Sequence, residues 1–310
     1  MTAANFSIVF MGTPDFAVHI LDGLHETGIP IAAVITAPDK PAGRGQQIQQ
    51  SAVKKYAIEK SLPVLQPANL KDPVFIDELR ALNAELFVVV AFRMLPEVVW
   101  SMPPKGTINL HASLLPNYRG AAPINRAVMN GEKLTGVTTF FIEKEIDTGK
   151  VIERESIDIG ENETAGELHD RLMELGRKLT ISTVNKIKTG KAEAIDQLSI
   201  QRDNLKSAPK IFREDCQIDW SKPVKDVHNF IRGLSPYPAA HTFLINEKGE
   251  IKSFKIFKGE KTVTDSINKT QLIENEKGIL IPCADFYYLV SELQPEGKRK
   301  MNFKEFLAGN

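Results

Sequence analysis

The segment "FSIVFMGTPDFAVHILDGLHETGIPIAAVIT", residues 6–36, constrains the fold more than any other stretch. It reads as a short apolar run, a Gly-Thr-Pro turn, a segment with apolar side chains at Phe16, Ile20, Leu21 and Leu24, and a second apolar run. The spacing of those four side chains is that of one helix face. Runs that are apolar without alternation are strands covered on both faces, and a helix between them joins them in parallel. "YAIEKSLPVLQP" and "DPVFIDELRALNAELFVVVAF" repeat the pattern, the second ending in the very apolar strand Leu86 to Ala91. The amino-terminal half is therefore expected to be an open α/β sheet, a class in which ligands sit beyond the carboxyl ends of the strands.

"GTINLHAS" continues the sheet, "GVTTFFI" and "GKVIERESIDI" add two strands, and "ETAGELHDRLMELGRKLTISTVNKIKTGK" makes one long amphipathic helix. Between Gly190 and about Pro209 the apolar periodicity lapses, as in a linker. Beyond it "VKDVHNFIRGL" is helical, and "AAHTFLI", "IKSFKIF", "GILIPCA" and "FYYLVSEL" are short alternating runs punctuated by "NEKGE" and "NEKG". Such runs build a small antiparallel barrel or sandwich. A chain of 310 residues exceeds what one compact core supports. The expected division is 1–190, a linker over 191–209, and 210–310.

Charge says little about the whole chain, with 39 basic and 39 acidic side chains. From Lys206 onward there are 17 basic and 14 acidic side chains, an excess that on charge alone reads as a solvated face rather than a nucleic-acid surface. The two cysteines, Cys216 and Cys283, make neither a disulfide framework nor a metal quartet, and read as small buried hydrophobes in a reducing compartment. "MTAANFSIVF" has no basic region ahead of its apolar residues, and no apolar run reaches the ~20 residues that span a bilayer. A cytoplasmic protein without membrane association is expected. The remaining histidines are scattered with no metal-ligand spacing, so no metal is expected. "GTPDF" lacks the Gly-x-Gly-x-x-Gly run of a dinucleotide turn.

The chemistry concentrates in "TINLHASLLPNYRGAAPINR", residues 107–126. On a strand, Asn109 and His111 share a face because side chains alternate. An Asn carboxamide can donate to a developing oxyanion, and a His can protonate that oxygen or take a proton near neutral pH. Ser113 lies nearby without a Gly-x-Ser-x-Gly elbow, which argues against a serine hydrolase. "IDTGKVI" supplies a carboxylate, Asp147, in a turn between two strands. The residues alone leave two readings open: polar side chains serving local turns, or a catalytic set.

Taken in order, "FMGTPDFA", "PDKPAGRG", "INLHASLLPNYRGAAPINRAVMNGEKLTGVT" and "IDTGKVI" resemble the methionyl-tRNA formyltransferase family. The resemblance continues through "IDWSKPVKDVHNFIRGLSPYPAA" and "LQPEGKRKMNFKEFL", nearly the whole chain. It implies a Rossmann-like parallel-sheet formyltransferase domain followed by a small β-barrel domain like an OB-fold. It implies transfer of a formyl group from 10-formyltetrahydrofolate to the amine of methionyl initiator tRNA, by a monomer that needs no metal. Asn109, His111 and Asp147 match the family's catalytic residues, and Ser113, Leu114, Leu115 and Pro116 match its folate-contacting segment. The related alternative is formylation of another amine, such as that of a sugar nucleotide.

The resemblance also gives a role to "APDKPAGRGQQIQQ", a connection longer than the usual αβ loop. In the family this insertion enters the acceptor stem of the tRNA, which makes Lys40 and Arg44 candidate tRNA contacts. Lys206, Lys210, Lys298, Arg299 and Lys300 are candidates for phosphate contacts. The chain departs from the family pattern at "VVAFRMLP", where many members read "VVAYGLILP": it is one residue shorter, with Arg93 and Met94 in a wall of the folate pocket.

Overall fold

The computed structural model describes residues 6–42, 47–201, 203–245, 249–266 and 270–308. Its amino-terminal part follows the order β1 (Ile8–Gly12), α1 (Asp15–Glu26), β2 (Ile31–Ile35), β3 (Lys40–Ala42), β4 (Gln47–Gln49), α2 (Ala52–Glu59), β5 (Val64–Leu65), α3 (Pro73–Ala81), β6 (Leu86–Val90), α4 (Glu97–Trp100), β7 (Thr107–His111), α5 (Pro123–Met129), β8 (Leu134–Phe141), β9 (Val151–Asp158) and α6 (Ala165–Lys188). The main sheet has the order β5-β2-β1-β6-β7-β8-β9. Strands β5, β2, β1, β6 and β7 pair in parallel. Every residue of β1 and β6 is buried, as expected for strands covered on both faces. On α1, Phe16, Ile20, Leu21 and Leu24 are all buried, so the apolar stripe read from the sequence is the face that packs. At the end of β1 a Cβ on Gly12 would lie 2.6 Å from the Cβ of Ala17 and 3.1 Å from the Val90 carbonyl oxygen. Only glycine lets the chain turn that close to its neighbours.

Strand β8 reverses direction and runs antiparallel to β7, with His111 opposite Thr138 and Ile108 opposite Phe141. The turn after β8 therefore begins level with Ile108, at the opposite end of β7 from His111.

The remaining elements are α7 (Gln197–Ile200), a short 3-10 turn at Glu214–Cys216, α8 (Val224–Leu234), β10 (Ala240–Ile245), β11 (Ile251–Asp265), β12 (Ile273–Asn275), β13 (Gly278–Pro282), β14 (Phe286–Pro295), β15 (Met301–Asn302) and α9 (Phe303–Ala308). They form an antiparallel sheet of order β10-β11-β14-β13-β12, with β15 on β14. Register shifts along β11 bend it. Val224, Val227, Ile231 and Leu234 of α8 pack against Ile256, Ile279, Tyr288 and Val290. Cys216 and Cys283 are both buried and unbridged, and burial pushes the Cys283 thiol up to about 12.

Grouped by packing, the chain forms two compact units. The first comprises residues 1–120, 136–157 and 170–207; the second comprises 121–135, 158–169 and 208–310. Residues 191–207 thus pack within the first unit. Among the described residues, no helix is long and apolar enough to cross a membrane.

Candidate active site

Strand β7 lies between β6 and β8 in the middle of the sheet, and His111 is its last residue. Asn109 is partly exposed between buried Ile108 and Leu110. His111 is 6% exposed. Its Nε2 lies 2.8 Å from the carbonyl oxygen of Tyr118. A carbonyl can only accept, so Nε2 carries a proton and Nδ1 is the nitrogen left for chemistry. Nδ1 faces Oδ2 of Asp147 at 3.8 Å. The same carboxylate oxygen accepts a hydrogen bond from the Gly120 backbone N–H at 2.9 Å.

Asp147 reaches this position by folding back. Phe141 is three residues below His111 in register, about 10 Å along a strand, yet the turn that follows Phe141 brings its carboxylate to the strand end. Asp147 adopts a left-handed backbone, with φ of 55°. Gly149 then passes so close to β8 that a Cβ would lie 1.7 Å from the Phe141 carbonyl oxygen. The glycine of the Asp-Thr-Gly sequence is there for that close approach.

The loop from Ser113 to Gly120 is built from hydrogen bonds. Ser113 Oγ donates to the Asn117 carbonyl at 2.6 Å. Thr138 Oγ1 donates to the Ser113 carbonyl at 2.6 Å and accepts from the Leu115 N–H at 3.1 Å. Of the four residues matched to the folate segment, Ser113, Leu115 and Pro116 are buried, and Leu115 packs with Phe140 and Val151. Leu114 is the one whose side chain is partly exposed. A buried Ser113 hydroxyl already spent on its own turn is no nucleophile, which agrees with the missing elbow.

Sequence reasoning took residues 191–209 for a linker and missed what they touch. Gln197, 1% exposed, donates through Nε2 to the carbonyls of Asp147 and Gly149, each at 2.8 Å. Its Oε1 accepts from Nε and Nη2 of Arg119, at 3.0 and 2.6 Å. The Tyr118 N–H donates to the Lys206 carbonyl at 2.6 Å. The only local signal was Asp196, whose side chain caps α7 by accepting from the Leu198 N–H at 2.8 Å.

The other predicted residues are dispersed. Lys40 is exposed on β3, which pairs with β4, while Arg44 lies outside the described residues. The root of this insertion is fastened by Asp39, which accepts from Lys54 Nζ at 2.5 Å and Gln66 Nε2 at 2.8 Å. Lys206, Lys210 and Lys298 are exposed, and Lys210 sits over the Phe212 ring at 5.2 Å. Arg299 is paired with Glu305 at 2.7 Å and Lys300 with Glu292 at 2.6 Å. Arg93 donates to the carbonyls of Pro67 and Ala68. It borders an open recess of about 710 Å³ that Lys71, Met94, Leu95 and Val98 also line.

An imidazole and a carboxylate facing each other at the end of β7, with a carboxamide two residues earlier on the strand and no nucleophile among them, suit acyl transfer between two bound substrates: such groups can hold an oxyanion and move protons. Comparison with known proteins gives the same class. The Formyl transferase family profile matches residues 5–184, and that of the Formyl transferase C-terminal domain matches residues 210–310. A methionyl-tRNA formyltransferase of Azobacteroides pseudotrichonymphae is 52% identical over 316 residues, covering 100% of this chain and 98% of the relative. The chain belongs to the methionyl-tRNA formyltransferase family. Another methionyl-tRNA formyltransferase, from Porphyromonas gingivalis, is 45% identical across 100% of this chain and 97% of its own length. Among solved structures, the N-formyltransferase of Helicobacter canadensis in complex with folinic acid and dTDP-3-aminofucose shares the fold, with TM-score 0.68 at 21% identity, covering 96% of this chain and 100% of that one. HypX of Aquifex aeolicus in complex with tetrahydrofolic acid shares it with TM-score 0.67 at 15% identity, over 98% of this chain and 47% of that one. Among the described residues of this formyltransferase, no group of three or more His, Cys, Asp or Glu side chains is placed to hold a metal ion.

Proposed function

We propose that the protein transfers the formyl group of 10-formyltetrahydrofolate to the free α-amine of methionyl initiator tRNA, acting in the cytoplasm as a monomer. The observation that carries this reading is the Asp147 carboxylate facing His111 at the end of β7, with Asn109 two residues earlier on the same strand, in a chain that matches methionyl-tRNA formyltransferases from end to end.

The amine attacks the formyl carbon, and the carbonyl oxygen becomes an oxyanion. Asn109 donates to that oxygen, and His111 stabilises it as an imidazolium, with Nε2–H held by the Tyr118 carbonyl and Nδ1 toward the reacting groups. Asp147 balances the imidazolium charge and helps take the proton that the amine loses. Collapse of the tetrahedral intermediate breaks the bond to the folate nitrogen, which leaves with the proton that the amine gave up, returned to it through Asp147 and His111. Leu114 and the backbone of the 113–116 turn contact the folate, and Arg93 shapes the adjoining wall.

Lys40 and Arg44 contact the tRNA from the insertion between β2 and α2. Lys206, Lys210 and Lys298 meet its phosphates, positioning it without reading sequence. Arg299 and Lys300 do so by exchanging their carboxylate partners for phosphate.

The test is a transfer assay with 10-formyltetrahydrofolate and methionyl initiator tRNA, with an amino-sugar nucleotide as competing acceptor. Formation of formylmethionyl-tRNA in preference to the formylated sugar is expected. Faster formylation of the sugar nucleotide, or tRNA binding without any folate-dependent transfer, would overturn the proposal.

A further inference from the structure

The fold leaves Asp147 with a placement problem. Its turn starts about 10 Å from the strand end that the carboxylate must reach, and its backbone is left-handed. On one side the carboxylate is held by the Gly120 N–H. On the other side the turn's backbone is held by Gln197, whose Nε2 donates to both the Asp147 and the Gly149 carbonyls. Arg119, next in sequence to Gly120, donates twice to Oε1 of the same glutamine. The contacts close a ring: Asp147 to Gly120, Arg119 to Gln197, and Gln197 back to Asp147.

The chemistry of the ring calls for a carboxamide. It needs two N–H groups for the carbonyls and an acceptor oxygen for the guanidinium, on one buried side chain. Glutamate offers the acceptor and no donors. Methionine fills the volume and offers neither. Gln197 is itself fixed, because Ile195 and Val151 exchange backbone hydrogen bonds at 2.8 Å and Asp196 caps the helix that Gln197 begins.

We infer that Gln197, in the segment between the two matched family regions, is a positioning residue for formyl transfer: it holds the Asp147 turn so that the carboxylate faces His111. It touches no substrate and acts through Asp147. This inference rests on the catalytic reading of Asp147 given above.

The experiment measures single-turnover formyl transfer and the KM of each substrate for wild type, Gln197→Met, Gln197→Glu, Asp147→Ala and the double variant Gln197→Met/Asp147→Ala. Gln197→Glu keeps a partner for Arg119 and so preserves the fold if the methionine variant does not. Both single Gln197 variants are expected to lose about 10- to 100-fold in the transfer step, the scale of a small misplacement of a catalytic group. The KM values should stay within about threefold, since no substrate contact is removed. In the Asp147→Ala background the methionine substitution should cost less than about threefold more, because the group it positions is gone. An equal loss in both backgrounds, or near-normal transfer by the Gln197 variants beside an impaired Asp147→Ala, overturns the positioning role and leaves the catalytic reading standing. Near-normal transfer by Asp147→Ala overturns the catalytic reading itself.

Discussion

Nδ1 of His111 and Oδ2 of Asp147 stand 3.8 Å apart, close enough for charge attraction and too far for a hydrogen bond. The carboxylate oxygen already accepts from the Gly120 N–H, so its structural and electrostatic roles can be separated. In Asp147→Asn the amide oxygen can still accept from Gly120, which keeps the turn in place, while the negative charge is lost. The variant is expected to keep its melting temperature and lose at least ~10²-fold in kcat, the scale of removing an acid–base partner. Retained turnover would assign Asp147 to the turn alone.

Asn109 tests the other half of the site. Its side chain is partly exposed on a strand whose flanking residues are buried, so truncation leaves no cavity in the core. Asn109→Ala should therefore fold with wild-type stability and lose ~10² to 10³-fold in kcat, as for a lost oxyanion donor. KM should change little, because the interaction strengthens only as charge develops on the oxygen. A raised KM with unchanged kcat would make Asn109 a ground-state binding residue.

Gly149 carries a steric prediction. A Cβ there would sit 1.7 Å from the Phe141 carbonyl oxygen and 2.9 Å from its carbon, and both atoms are backbone that cannot rotate away. Gly149→Ala must push the 143–149 turn off β8, at a cost of about 1–3 kcal/mol in overpacking. The turn carries Asp147, so activity should fall more steeply than stability. Calorimetry and the transfer assay on one preparation would show it; a normal melting temperature with normal kcat contradicts the close approach.

The parts of this architecture that depend on repetition were legible in the sequence. The stripe Phe16, Ile20, Leu21 and Leu24 marked α1 because an apolar face must recur every three to four residues to pack, and all four side chains are buried. Alternation put Asn109 and His111 on one face of β7 for the same kind of reason. Asp147 was different: its sequence shows a carboxylate in a turn, nothing in its spacing from His111 announces that this turn folds back along the sheet, and the family resemblance alone tied it to His111. Gln197 escaped because its role lies in four hydrogen bonds to residues 48 to 78 positions away, which leave no periodic trace in a polar stretch. The same holds for Ser113 and Leu115, which look like an accessible loop in sequence and are buried by the Thr138 hydroxyl and the Phe140 side chain.

His228 gives the second unit a pH-dependent stability. It is 3% exposed on α8, with Nδ1 3.4 Å from the Tyr288 hydroxyl. Burial, with smaller contributions from the charges of Lys261 and Arg232, lowers its pKa from 6.5 to about 4, against partial opposition from Glu161. Above pH 6.5 the ring is neutral in both the folded and the unfolded chain, so its titration leaves stability unchanged. Between 6.5 and about 4 the unfolded chain binds a proton that the folded chain refuses, so stability falls as the pH falls. The full effect is about 3 kcal/mol. His228→Phe removes the titration, and the aromatic ring can pack beside Tyr288, so the melting temperature of the variant should decline less than that of wild type between pH 6.5 and 4. Parallel declines in calorimetry would mean that the imidazole is protonated in the folded chain and that this part of the stability lies elsewhere.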